Sequence, residues 1–267
     1  MEVNFVAKHR RKWNEVVFQR YLQEKRGQGV AECYTPWILV QDFPSNGMVS
    51  RIQGAKTGRT HHLLSNHEMN LFFLLDWSDE VLDIREQYPL LDLQLVIEIA
   101  ETAQIRYPYD PVSGFPYVMT SDFYIETTRG PMVIAVKTTA DLDNPRVREK
   151  LEIERRYWSK KNVRWRIVTE REINQTKARN IEWLAQAKDL GLFGLSSELQ
   201  KACIAFFMKH YSFHSDSLRK LLLDIERRFE LSDGMGLNIY KHLAYWKRIE
   251  FDAAKPIDFT TFRNSLS

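Results

Sequence analysis

Apolar and polar positions along this chain follow two different periods, and the switch between them divides it. At 11–25, RKWNEVVFQRYLQEK sets Trp13, Val17, Tyr21 and Leu22 on one helical stripe, which RGQG at 26–29 stops. The stretch 30–60 reads as irregular or strand-rich, with turn signals in FPSNG at 43–47 and KTGR at 56–59. A helix starts at Ser65 in SNHEMNLFFLLDW, where Ser65 and Glu68 have the spacing of a capping box, so Glu68 is expected to accept from the Ser65 backbone N–H. EVLDIREQYPL at 80–90 reads as a strand stopped by Pro89. VMTSDFYIE at 118–126 and PMVIAVKTT at 131–139 read as two strands of a hairpin turned by TTRG at 127–130. Asn144 and Pro145 open a helix that runs to about Lys161, and VRWRIVT at 163–169 is a further strand. From about 171 the helical period takes over at 176–189, 196–211, 216–231 and 235–246. RIEFDAAKPIDFT at 248–260 then reads as two short strands, so the expected end of the chain is a winged helix-turn-helix. The expected organisation is an α/β domain over 1–170 and a helical, winged-helix-like domain over 171–267.

Composition narrows the classes. With 267 residues, 44% hydrophobic and 27% charged, the chain can bury a core and is not a disordered polyelectrolyte. It has no apolar run of the roughly 18–20 residues a membrane helix needs, and its first residues lack the apolar segment of a signal peptide. Cys33 and Cys203 form no paired motif, which speaks against a disulfide scaffold or a cysteine zinc site and for a reducing, cytoplasmic setting. The net charge of +3 is unevenly spread: ten Lys/Arg face five Asp/Glu over 1–60, whereas thirteen face seventeen over 61–169. A basic arm beside an acidic centre suits a polyanion binder whose middle uses carboxylates.

The hairpin places the chemistry. With its turn at 127–130, Asp122 lies opposite Ala135, and Ala135 and Lys137 share Asp122's face. An aspartate and a lysine a diagonal step apart on apolar strands form either a structural ion pair or a working site. Glu68 is a helix cap or an acid of the same site. On the helix after Lys137, the stripe Val147, Leu151, Glu154 and Trp158 turns Glu154 toward the sheet, unless it pairs at the surface with Arg148 or Arg155. His61, His62 and His67 match no common zinc spacing. Arg51, Lys56 and Arg59 are candidates for DNA phosphate contacts, or face water.

The order helix-Glu, strand-Asp, hairpin, Val-Lys, helix resembles the restriction-endonuclease-like nuclease core. More specifically, the stretches RGQG (26–29), TPWILVQDFPSNG (35–47), KTGRTHHLLSNHE (56–68), VLDIREQYPLL (81–91), MTSDF (119–123), VKTTA (136–140), EKLEIERRYW (149–158) and NIEWL (180–184) resemble the TnsA family, the endonuclease subunits of heteromeric bacterial transposases. The resemblance implies an Mg²⁺-dependent endonuclease, with Mn²⁺ as a substitute, that cuts the 5′ strands at transposon ends. It implies Glu68, Asp122 and Lys137 as the catalytic acid, acid and lysine. The metal would be held by Glu68, Asp122 and the Val136 backbone carbonyl, with Glu154 as a candidate further ligand. Implied partners are transposon-end DNA, a TnsB-like transposase that cuts the 3′ strands, and a TnsC-like AAA+ regulator contacted through the C-terminal domain. One departure stands out: Ala135 replaces the glutamine that the family pattern has two residues before the lysine. The alternatives are a winged-helix DNA-binding regulator and a catalytically weakened scaffold subunit of the same complex.

Overall fold

A computed structural model describes residues 13–42, 49–211 and 218–257. The turn signal at 43–47 lies outside the described residues. The chain forms two compact units, one from its described residues up to Met69 together with Asp79–Glu170, the other from Asn70–Ser78 and the described residues from Arg171 onward. Among the described residues no helix is long and apolar enough to cross a membrane.

In the first unit, α1 (Glu15–Gln23) is capped by the Asn14 side chain, which accepts from Val17 N. Trp13, just before it, anchors an aromatic cluster with Phe18, Tyr21, Trp37, Phe115 and Tyr117, and its indole N–H donates to Pro116 O at 2.8 Å. Strands β1 (Ser50–Gln53) and β2 (Thr60–Leu63) make a separate antiparallel ribbon around the KTGR turn. Gly54 in that ribbon is required by space: a Cβ there would stand 2.7 Å from both His61 Nε2 and Thr57 Oγ1. Helix α2 (Asn66–Asp76) follows.

The main sheet runs β3-β4-β5-β6, from β3 (Val81–Pro89), β4 (Thr120–Thr127), β5 (Met132–Val136) and β6 (Arg164–Val168). The first three strands pair antiparallel. β6 lies parallel to β5, because α4 (Pro145–Lys160) carries the chain back to start again at the same edge. Asn144 caps α4 by accepting from Arg146 N, and Pro145 opens it. Helix α3 (Leu93–Thr102) is capped by Asp92 and packs with α4 around Leu90, Val96, Ile99, Val133, Ile153, Tyr157 and Trp158.

The second unit holds α5 (Gln175–Ala185), α6 (Ser197–Tyr211), α7 (Leu218–Arg228) and α8 (Met235–Tyr245). α8 is its centre, with Ile239 and Leu243 fully buried, and it packs on α5 and α7. Gly236 lets α8 approach the backbone of α7, since a Cβ there would lie 2.4 Å from Leu222 O. Helix α2 from Asn70 onward belongs to this unit: Trp77 Nε1 donates to Tyr245 O at 2.7 Å, and Tyr245 OH to Asp76 at 3.2 Å.

The ribbon expected over 248–260 does not form among the described residues, which end at Ile257 and show turns from Arg248 onward. The reason is a contact distant in sequence. The Asn180 amide donates to the carbonyls of both Ala253 and Lys255, at 2.8 and 2.7 Å, which fastens the segment to α5 and uses acceptors a ladder would need.

Candidate active site

The β4–β5 hairpin has the register its turn dictates: Phe123, Tyr124 and Ile125 pair with Ile134, Val133 and Met132. The ladder stops there. Instead of a backbone pair at Asp122, the Asp122 carboxylate takes over: Oδ2 accepts from Val136 N at 2.6 Å and from Lys137 Nζ at 2.7 Å. The same ammonium donates to Val136 O at 2.8 Å. One cation therefore stands between the Asp122 carboxylate and the Val136 carbonyl, at a site where both charged side chains keep some exposure. Burial works against the Lys137 charge, but Asp122, helped by Glu154 and Glu68, raises its pKa above the ordinary value. Ala135, buried beside them, presents a methyl and no oxygen.

Glu68 is both a cap and a neighbour of this cluster. Its backbone N–H donates to Ser65 Oγ at 3.1 Å, as a capping box requires. The return bond differs from the expected one. The carboxylate accepts from Leu64 N, one residue earlier, at 3.0 Å and from the Ser65 hydroxyl at 3.0 Å, which leaves the Ser65 backbone N–H out of the box. Gln87 Nε2 adds a third donor at 3.2 Å. Burial, and after it the charge of Asp122, push the Glu68 carboxyl up to about 7, against the pull of Leu64 N–H, the Ser65 hydroxyl and Lys137.

Glu154 faces inward. Leu151, Glu154 and Trp158 are all buried on α4, so the stripe read from the sequence is the packed face. Arg148 and Arg155 are engaged elsewhere, Arg148 with the carbonyls of Leu142 and Asp143 and Arg155 with Glu152. The Oε1 atom of Glu154 is buried and finds no hydrogen-bond partner among the described residues. Burial first and Asp122 second push this carboxyl, too, up to about 7. Two buried carboxyls held above their ordinary range, first by burial and then by a third acid, mark a place that takes protons or a cation.

The donors are all oxygens, which suits a hard cation such as Mg²⁺ and not zinc. Among the described residues no three His, Cys, Asp or Glu side chains converge tightly enough to hold a metal by themselves. The donor pair that does converge is Asp122 with the Val136 carbonyl, already sharing one cationic nitrogen. Mg²⁺ keeps several waters readily, so a pair of protein oxygens with a nearby acid is an adequate anchor.

The basic candidates separate. Arg51 is exposed, with a 3.4 Å contact to Gln41. Lys56 is half-buried in the turn between β1 and β2. Arg59 is not placed to meet a phosphate. Its two terminal nitrogens grip Glu86 at 2.8 and 2.6 Å and the Ile84 carbonyl at 2.8 Å, all buried. His61 joins the same knot, its Nδ1 2.7 Å from Glu86 Oε2 and its Nε2 2.7 Å from Thr57 Oγ1, while His62 N donates to Glu86 Oε1 at 2.9 Å. Burial would raise the Glu86 carboxyl, but the bonds from Arg59 and His61 hold it down at about 2.

Comparison with known proteins follows the same division of the chain. A family model described as TnsA-like endonuclease N terminal matches residues 78–170, which include Asp122 and Lys137 but not Glu68. A second, TnsA endonuclease C terminal, matches 172–253. The chain is 44% identical over 186 residues to the Transposon Tn7 transposition protein TnsA of Escherichia coli, covering 68% of this chain and 67% of that protein.

Proposed function

This chain belongs to the TnsA family and is an endonuclease subunit of a transposition system, and from that premise we propose that Glu68, Asp122 and Lys137 form its metal-dependent catalytic site on a restriction-endonuclease-like core. The observation that carries the reading is the convergence of Asp122 Oδ2 and Val136 O on one cationic point, with two proton-hungry carboxyls in the field of Asp122. The substrate is the DNA phosphodiester at the 5′ strands of transposon ends. A TnsB-like transposase would cut the 3′ strands, and a TnsC-like AAA+ regulator would be met through residues 171–267; these partners rest on the family resemblance. With the second family model covering 172–253, a free-standing transcriptional regulator loses its support.

Asp122, the Val136 carbonyl and Glu68 would hold Mg²⁺, which when bound lowers the pKa of water and neutralises charge on the phosphate. The chain's own groups do the rest. Asp122 fixes the site by taking the Val136 N–H, so that the Val136 carbonyl and the Lys137 side chain leave the strand in defined directions. Lys137, kept charged by the surrounding acids, stabilises negative charge developing on the scissile phosphate or orients the attacking water. Glu68 is held by three donors and stays within the field of Asp122 and Lys137.

Lys137→Ala should lower cleavage about 10²–10³-fold while Mn²⁺ binding persists, as expected for a lost donor to transition-state charge. Strand-resolved cleavage beside a Mn²⁺ titration checks this. A loss of cleavage that merely follows a fall in melting temperature would reduce the lysine to an ion-pair partner.

Glu154 supplies the side-chain oxygen that Ala135 cannot. Glu154→Gln should weaken cleavage about 10-fold or more at limiting Mg²⁺, the scale of a lost supporting ligand, with much of the loss recovered at saturating Mg²⁺. Cleavage against Mg²⁺ concentration is the measurement. A variant indistinguishable from the parent at limiting Mg²⁺ would leave Glu154 a structural acid. An intact chain that assembles with its partners and nicks nothing at any Mg²⁺ concentration would select the weakened-scaffold reading.

A further inference from the structure

We propose that Gln87 is a positioning residue of the nuclease site, which holds the Glu68 carboxylate in its working orientation through the amide Nε2; the inference rests on the reading of Glu68 given above. Three observations meet at Gln87. Its side chain is buried, 2% exposed, and bridges two elements: Nε2 donates to Glu68 Oε2 at 3.2 Å, and Oε1 accepts from Thr120 Oγ1 at 3.2 Å. That second bond fixes which end of the amide points at Glu68, because the hydroxyl donates to the carbonyl oxygen and leaves the NH₂ for the carboxylate.

Its backbone is strained. Gln87 has φ 49, the left-handed region that a non-glycine residue seldom enters inside a strand. In the β3–β4 ladder Glu86 pairs with Phe123 and Tyr88 with Ser121, while Gln87 and Asp122, facing each other between them, stand outside the pairs. The ladder is thus broken at the two residues that flank the site.

The strain is held from both sides. Glu86 is locked by Arg59, His61 and His62 N, and the Gln87 carbonyl accepts from Trp37 N at 3.3 Å. A strained conformation persists only where its surroundings over-determine it, and such positions cluster at functional sites. The buried ionic knot on β2 and β3 therefore acts at a distance: it fixes Glu86, Glu86 fixes the twist at Gln87, and Gln87 aims at Glu68. Glu68 Oε2 already receives Leu64 N–H, so the amide closes that oxygen and leaves Oε1, with its single donor from Ser65, as the open end of the carboxylate.

The left-handed backbone supplies the test. Gln87→Gly suits the observed φ and removes the whole side chain, amide included, with the relief of backbone strain offsetting the packing lost; Gln87→Asn also tolerates that φ and keeps an amide one methylene short. The full-length chain is titrated with Mn²⁺ and followed by electron paramagnetic resonance, beside strand-resolved cleavage and thermal melting, with Glu68→Gln in parallel. The expected result is a 10–100-fold weaker Mn²⁺ affinity in Gln87→Gly at an unchanged melting temperature, an intermediate loss in Gln87→Asn, and little further loss when Gln87→Gly is added to Glu68→Gln. Parent-like Mn²⁺ affinity in folded Gln87→Gly or Gln87→Asn, with Glu68→Gln impaired, overturns the inference alone. An unimpaired Glu68→Gln overturns the reading of Glu68 and this inference with it. If Gln87→Gly unfolds, the Asn variant decides by the same titration.

Discussion

Asp122→Asn should reduce cleavage of the 5′ strand by at least about a thousandfold while the protein stays folded. Metal charge stabilisation is worth several kcal/mol, and each ~1.4 kcal/mol is tenfold in rate. Asparagine keeps an oxygen for Val136 N and Lys137 but loses the negative charge on which every other group in the site depends. That charge sustains the Lys137 ammonium and raises both Glu68 and Glu154. The substitution should therefore also lower both carboxyls toward their ordinary range, because one of the two causes that lift them is gone. Strand-resolved cleavage of transposon-end duplex with the partner transposase present measures the first effect. Retained 5′ cleavage would place the chemistry elsewhere in the chain.

Arg59→Ala should cost about 3–5 kcal/mol of stability, the usual result of leaving a buried charge without its partner. For a chain of this size that is a fall in melting temperature on the order of 10 °C. Glu86 would remain, fully buried, answered among the described residues by His61 and the His62 N–H. The effect depends on pH in a defined direction. The folded pKa of Glu86 is depressed from 4.5 to about 2, so its stabilisation is fully present above 4.5 and is lost as pH falls through about 2. The gap between parent and Arg59→Ala should narrow over that window. Replacing Arg59 and Glu86 together by methionine should cost less than Arg59→Ala alone, since no charge is then stranded. Thermal melts across pH give the answer. An unchanged melting temperature with weaker DNA binding would return Arg59 to the role of a phosphate contact.

Much of the first unit is legible in the sequence because its signals are local. Ser65 with Glu68, Asn144 with Pro145 and the TTRG turn each fix an element within a few residues, and the turn alone sets which residues of β4 and β5 pair. Helix α3 is the opposite case. LDLQLVIEIA alternates like a half-buried strand, and the deciding feature is the Asp92 cap on Leu95 N together with packing against α4. Glu154 is legible as a periodic misfit on an apolar stripe, whereas Gln87 is not legible at all. Its meaning comes from φ 49 and from partners at Glu68 and Thr120, distant in sequence.

Arg59 shows why charge type is a poor guide to function. In sequence it is one of three cations around a turn. In the fold, β2 lies against β3 and Glu86 claims it. The expected terminal ribbon is undone by one asparagine from another helix, a contact across more than seventy residues that no local pattern carries. Ala135 was visible from the start, but its consequence was not: the hairpin shows that Asp122 reaches past it to Val136 N, so the strand keeps its carbonyl aimed at the site without a side-chain ligand.

Asp122 and the Val136 carbonyl, supported by Glu68, are proposed to hold the catalytic metal. Diffraction from crystals soaked in Mn²⁺, recorded at the manganese edge, tests this most directly. The expected result is an anomalous peak within bonding distance of the Asp122 carboxylate and the Val136 carbonyl, absent in Asp122→Asn. A peak that ignores Asp122, or none at all in crystals of protein that cleaves 5′ strands in Mn²⁺, would contradict it.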